Sequence, residues 1–554
     1  MSKVFADFVT KHKPIVLSAL VFFILVIFIN PLGNFPINDD WLFVRQVEAF
    51  SKGIWEKNVL IDPTFISQGM VGLVWSKIFG VGFESLRLLT MVVFVVFLVG
   101  VYVLLNLLKI NKKFILVVLL LFVLNPLVVA SSLTFMTDIY FLFFLVFTLY
   151  FYLLYAKEKH LKYFVYGSVF CGLTFLNRQI GLIPYIAMSL FLFVQRKKNL
   201  KHLMVGTLPI AAALISFYYW PAYKANSLEI TSNIMEFKNV YKRLREMLFV
   251  LPALGFYMLP VTFLFSWKRP VFTIPLVLVL SWVIFTYDVL PLGSVFYLEG
   301  LHAKSGFRTN LSVFDNVIFK LLLSFLSGLS LFNLFYLLVG IRKKAREKYL
   351  PFLELNLLGF FLVLFVASDI YDRYLLPLLL VLIIYLANKH NKRKLLNTKL
   401  CSVIFVLFFC MTLFLNREYL EVRRLKWAQA RHIQQLTGFK TGIFLDGTYT
   451  KYIRAFSKGD YSGLEGGMPS GLVYACYVQQ YTFENKGTLF WKLNNQIEKY
   501  IANPKIYNRR KLETKRIKKH LDELIIDKEY FSLLYTIINK QAYVGSWCDS
   551  EYDN

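Results

Sequence analysis

Long apolar runs separated by short polar stretches fill the first three quarters of the chain. Met91–Leu105 is one such run, with no charge and no polar face. Runs of about 18 or more apolar residues read as membrane helices. The pattern predicts about thirteen spans, near 15–29, 86–106, 114–130, 139–156, 162–177, 180–195, 203–220, 247–266, 271–290, 318–340, 349–367, 374–388 and 400–415. The first begins as a signal peptide does, with Lys3, Lys11 and Lys13 before an apolar core. It meets Asn30-Pro31 rather than a small-residue cleavage site, so it reads as a retained helix.

Between the spans, two amphipathic pieces stand out in the loop 31–85. Trp41, Phe43, Val44, Val47 and Phe50 recur at helical spacing among Arg45, Gln46, Glu48 and Lys52. Met70–Phe79 is apolar but too short to span. Both are expected to lie at the membrane interface. Alternate loops are rich in Lys and Arg, including Lys109/Lys112/Lys113, Lys157/Lys159/Lys162 and Arg342/Lys343/Lys344, which assigns them to the cytoplasm together with the N-terminus. The intervening loops carry Asp39, Asp40, Asp62, Asp138, Asp288, Asp315, Asp369 and Asp372 and face outward, the basic loop 221–246 being the one exception. An odd span count puts residues 416–554 outside as well. There, strand-like pieces (Gly442–Leu445, Gly471–Val478) and a polar helical piece (Leu512–Leu524) predict a small α/β domain.

Composition changes this picture little. The 554 residues are 57% hydrophobic and 17% charged, with 62 Lys+Arg against 34 Asp+Glu, a formal net charge of +28. That excess could suggest nucleic acid, but the apolar runs argue for no nucleic-acid partner and place much of the charge in cytoplasmic loops. A soluble enzyme, a disordered chain and a disulfide scaffold are excluded. Cys171, Cys401 and Cys410 lie in apolar segments, whereas Cys476 and Cys548 lie in the polar tail and are able to pair if it is outside the cytoplasm. No Cys/His cluster has zinc-finger spacing.

Ionisable residues at the ends of apolar helices are the candidates for chemistry. Four groups qualify: Asn38-Asp39-Asp40-Trp41; Asp138, where the fourth span begins; Asn177-Arg178-Gln179, which breaks an apolar hairpin; and Asp369 to Pro377, containing Arg373. Each has a plain alternative: helix capping for the acids, snorkelling for Arg178, a local ion pair for Arg373. Together they gather carboxylates and arginines on one membrane face. Arginine forks match phosphate oxygens, and a carboxylate can take a proton from an acceptor hydroxyl.

These motifs come in a particular order. An acidic pair follows the first helix; Gly53-Ile54-Trp55, Gln68-Gly69-Met70, Phe79-Gly80 and Leu86-Arg87-Leu88 come next; Phe135–Asp138 opens the fourth span; Arg178-Gln179 breaks the next hairpin; Arg373-Tyr374-Leu375-Leu376-Pro377 comes late. Over about 15–390 the set resembles the membrane glycosyltransferases of the GT-C class, near the branch of protein mannosyltransferases and aminoarabinose transferases. The resemblance implies an all-α polytopic GT-C-like domain over 1–415, including the outer loop 31–85, and a separate extracytoplasmic domain over 416–554.

It further implies a polyprenyl-phosphate sugar as donor and a lipid, glycan or protein acceptor at the outer face of a bacterial plasma membrane. Asp39 or Asp40 is the expected general base of an inverting displacement; the family's usual pair is Asp-Glu, and Asn38 aligns with its first acid when counted back from Gly53. Asp138 is a supporting acid, and Arg178 and Arg373 meet the donor phosphate. Gln68, Arg87, Gln179 and His302 are further candidate substrate contacts, the last in a Gly-containing loop that closes over the donor. Some relatives hold a divalent cation at the acidic site, and this stays open here. A flippase for lipid-linked oligosaccharides and a polysaccharide polymerase are the alternatives. A transporter keeps its charges near mid-bilayer, whereas these lie at one face.

Overall fold

The apolar segments become helices nearly one for one, because a backbone in hydrocarbon must satisfy its own polar groups. The computed structural model describes residues 10–37, 40–55, 64–194, 200–220, 251–264, 273–286, 317–339, 350–366, 372–390, 398–437, 441–444, 474–484, 525–530 and 540–549. Its principal helices are α1 (Lys13–Ile29), α2 (Asp40–Ser51), α3 (Ser67–Phe79), α4 (Phe83–Leu107), α5 (Lys112–Val123), α6 (Pro126–Ser132), α7 (Thr137–Glu158), α8 (Leu161–Phe175), α9 (Ile183–Val194), α10 (Leu200–Tyr219), α11 (Thr273–Thr286), α12 (Val317–Val339), α13 (Leu350–Val366), α14 (Leu375–His390) and α15 (Thr398–Thr437). Short helical turns fill 251–262. Among the described residues, five helices are long and apolar enough to cross a membrane, the bent α5–α6 pair makes a sixth, and six shorter apolar helices accompany them. The protein is a multi-pass membrane protein.

Both amphipathic pieces are helical, as α2 and α3. The expected helix over 114–130 is broken: α5 and α6 meet at 64°. Asn125 accepts from the amides of Leu127 and Val128, and Pro126 starts the new helix. A proline in the first turn suits a fresh start and forbids continuation. The break leaves the Leu124 carbonyl to be bonded by the Thr412 hydroxyl of α15 at 2.6 Å, while Asn416 donates to the Pro126 carbonyl at 3.3 Å.

The boundary expected at 415/416 falls inside α15, which runs unbroken for 40 residues. At 1.5 Å per residue it is about 60 Å long, twice the ~30 Å of a bilayer core. Its polarity changes at Asn416-Arg417-Glu418 without interrupting the backbone bonding. Beyond it, the described tail residues form a four-stranded sheet in the order β1-β2-β4-β3, with β1 (Thr441–Phe444), β2 (Tyr474–Glu484), β3 (Ile525–Tyr530) and β4 (Lys540–Asp549). β1 runs parallel to β2, while β4 is antiparallel to both β2 and β3. The piece Leu512–Leu524 lies outside the described residues.

Contacts between distant helices define two ends of the bundle. At one, His12 at the start of α1 meets Tyr102 near the end of α4, and Tyr155 near the end of α7 meets His202 at the start of α10, each at 3.0 Å. The opposite end collects the C-terminal ends of α1 and α8 and the N-terminal ends of α4, α7 and α14. Asp40, Asp138, Arg178 and Arg373 lie there.

Candidate active site

Asp138 stands in the first turn of α7, where a negative charge meets the positive end of the helix dipole. Arg178 reaches it from the break between α8 and α9. Its Nε donates to Thr137 Oγ1 at 2.9 Å and its Nη2 to Asp138 Oδ1 at 2.7 Å. The backbone places it there by a tight reversal. The Arg178 amide still bonds to the Thr174 carbonyl, and its carbonyl receives the Gly181 amide at 2.8 Å. Gly181 passes so close to α8 that a Cβ would sit 2.4 Å from the Phe175 nitrogen, so only glycine permits the turn. Arg178 Nη1 makes no hydrogen bond among the described residues.

The turn before α14 closes this cluster. Tyr374 sets its ring 5.6 Å from the Arg178 guanidinium carbon, and Arg373 Nη1 lies 3.5 Å from Met136 Sδ, two residues before Asp138. Gln68, fully buried at the start of α3, donates from Nε2 to the Phe135 carbonyl at 3.2 Å, and its Oε1 has no partner among the described residues. The buried Asn177 side chain is likewise without one. Asp138, Arg178, Arg373 and Gln68, four sequence candidates from four separate segments, thus border one region. Gln179 is exposed at the start of the turn that follows.

A second cluster holds the first outer loop. Asp40 opens α2 and is buried; its Oδ1 accepts the Ile37 amide at 2.7 Å and its Oδ2 lies 3.9 Å from Arg87 Nη2. Arg87, expected to touch substrate, is fully buried in the first turns of α4 and directs its fork at the loop, donating to the carbonyls of Pro31, Gly33 and Phe35. One turn along α4 from Arg87, the Thr90 hydroxyl meets Tyr140, itself two residues past Asp138, at 3.2 Å. This buried contact joins α4 and α7 close to both clusters.

Asp39, His302 and Asp369 lie outside the described residues. Among those described, no three His, Cys, Asp or Glu side chains come together as metal ligands; Asp40 and Asp138 each face an arginine instead. Sequence reasoning passed over Thr137 and Tyr374 although they sit in the quoted motifs, because a hydroxyl and a ring carry no charge to single them out.

Residues 73–220 match the Dolichyl-phosphate-mannose-protein mannosyltransferase family. No curated protein matches the chain. Solved structures that align with it include ArnT from Cupriavidus metallidurans in the apo state, at 12% identity over 97% of this chain and 98% of that one with a TM-score of 0.38, and the same protein bound to undecaprenyl phosphate, at 12% identity over 96% and 97% with a TM-score of 0.41. The matched segment contains Arg87, Asp138 and Arg178, and over it the chain is similar to a family of membrane glycosyltransferases of the GT-C class, the class that its sequence motifs resemble.

Proposed function

We propose that the protein transfers a sugar, with inversion, from a polyprenyl phosphate to a hydroxyl of a lipid, glycan or protein acceptor outside the cytoplasm. The observation that carries this reading is the Asp138–Arg178 pair, inside the segment that matches the mannosyltransferase family. A buried carboxylate fixes one edge of the guanidinium and leaves Nη1 for a phosphate oxygen. Pre-aimed donors of this kind act where charge develops in the transition state. Arg373, beside the same pair, serves the same phosphate.

Of the two first-loop acids, Asp40 is engaged with the Ile37 amide and faces Arg87, the arrangement of a carboxylate that shapes a loop. Asp39, its neighbour, is then the general base. The Asp39 carboxylate takes the proton of the acceptor hydroxyl while that oxygen attacks the anomeric carbon. The bond from that carbon to the phosphate oxygen breaks, its electron pair leaves with the polyprenyl phosphate, and the arginines receive the new charge. General-base help of this kind contributes about 10²–10⁴-fold. The lipid tail lies along the bundle, which accounts for a site at the end of membrane helices.

The test is sugar release from polyprenyl-phosphate donors by the purified protein in detergent, with envelope lipids and glycans as acceptors. Transfer with inverted anomeric configuration supports the reading. Passage of intact lipid-linked sugar across vesicles without any transfer identifies a flippase instead.

A further inference from the structure

The loop between α1 and α2 is gripped from two sides. Asn30 ends α1 in the left-handed conformation, with φ 53° and its amide returned to the Val26 carbonyl. The carbonyls that follow alternate between two arginines. Arg424 of α15 donates from Nη2 to Asn30 at 2.8 Å and to Leu32 at 3.2 Å. Arg87 takes Pro31 and Gly33 with Nη1, and Phe35 with Nη2 at 2.8 Å. The Phe35 ring packs against both, 4.8 Å from the Arg87 guanidinium carbon and 5.3 Å from that of Arg424. Gly33, at φ +135°, completes the clasp: a Cβ there would come within 2.9 Å of the Phe35 ring and 3.9 Å of Arg424 Nε.

Charge-assisted bonds to main-chain carbonyls are strong and directional, and a cation at the C-terminal end of α1 also complements its dipole. A link that only fastened the last helix to the bundle would need one contact on any surface. This one instead takes two carbonyls, Asn30 and Leu32, that alternate with the three held by Arg87, just before Ile37, whose amide meets Asp40. Arg424 is itself steadied by Glu421 one turn back, and its helix continues to Thr437 and packs against β1, β2 and β4.

We infer that Arg424 is a positioning residue: the helix leading into the C-terminal sheet sets the loop that presents the first-loop acids, so the tail region and sugar transfer are coupled. The second half of this inference rests on the function proposed above; the first does not.

The full-length protein in nanodiscs tests it, with Arg424→Ala, Arg424→Gln and Arg424→Lys beside wild type. Amide exchange of Ile37 reads the loop directly, since that amide is bonded to Asp40. In Arg424→Ala the Ile37 amide is expected to exchange at least about tenfold faster while α7 and α8 keep their protection. The transfer kcat is expected to fall on the order of 10–10²-fold, the cost of a small misplacement, with the donor KM unchanged. Lys, which lacks the fork, recovers part of kcat. Unchanged Ile37 exchange in a folded Arg424→Ala protein overturns the inference and leaves Arg424 an anchor of the tail. Where the alanine variant does not insert, Arg424→Gln decides by the same readout. Faster exchange in the variants of a wild-type protein that transfers no sugar defeats the proposed function and upholds the positioning.

Discussion

Arg178 and Asp138, forty residues apart, meet at 2.7 Å, with the Asp138 side chain almost wholly buried and the Arg178 side chain only 13% exposed. The ion pair joins α7 to the α8–α9 hairpin. Removing Arg178 leaves a buried carboxylate unpaired, a change that costs about 3–5 kcal/mol. Arg178→Ala is therefore expected to melt well below wild type in detergent. Arg178→Ala combined with Asp138→Ala should recover part of the loss, with a coupling of about 0.5–3 kcal/mol. Equal, additive losses in a double-mutant cycle of thermal unfolding would mean that the two side chains do not support each other.

The first-loop acids separate by what asparagine can replace. Asn accepts an amide hydrogen bond as Asp does, but takes no proton. Asp39→Asn is expected to insert normally and lose activity by about 10²–10⁴-fold. Asp40→Asn keeps its bond to the Ile37 amide and loses the charge opposite Arg87, so its deficit is expected in stability more than in the chemical step. Single-turnover transfer beside a melting curve distinguishes the two, and the reverse result moves the base to Asp40.

Arg373 lies beside the Asp138–Arg178 pair, its Nη1 3.5 Å from Met136 Sδ. Arg373→Lys retains the charge and loses the planar fork. Its transfer rate at limiting donor is expected to drop while expression stays level. Wild-type rates for Arg373→Ala under limiting donor would leave Arg373 without a part in donor binding.

Cys476 and Cys548 are register partners on β2 and β4. Directly opposed residues of an antiparallel pair have Cα atoms about 4.5–5.5 Å apart, inside the ~4.4–6.8 Å that a disulfide spans. With the tail outside the cytoplasm, the two are expected to be joined. A non-reducing digest of protein alkylated in intact cells should yield the linked peptide by mass spectrometry, and a reporter active only in the cytoplasm should stay silent when fused after Asn554. Alkylation of both thiols without reductant contradicts the bridge, and a strong reporter signal contradicts the topology.

The apolar runs announced the helices because hydrocarbon leaves the backbone no other solution, and α2 showed its amphipathic face in Trp41, Phe43, Val44, Val47 and Phe50. The break at Asn125-Pro126 was hidden because both residues sit inside a run that reads as one span. The length of α15 was hidden for the opposite reason: polarity changes at Asn416, but helical hydrogen bonding continues. In the site, Asp138, Arg178 and Arg373 stood out as charges among apolar neighbours. That Arg87 turns inward to the loop was not legible, since a sequence gives an arginine's position and not its partners. Arg424 gave no signal at all, lying in a stretch where Arg417, Glu418, Glu421 and Arg423 are equally charged.

The Leu124 carbonyl, released where α5 gives way to α6, waits for Thr412, a partner 288 residues further along the chain. At synthesis rates of about 5–20 residues per second, that interval is roughly 14–58 s. During it the early helices are in place with a main-chain oxygen still unanswered inside the membrane, where such a group is costly. Maturation of the N-terminal half therefore finishes only when the last helix arrives, and a ribosome that stalls before Thr412 releases a product whose defect lies far upstream of the point where synthesis stopped.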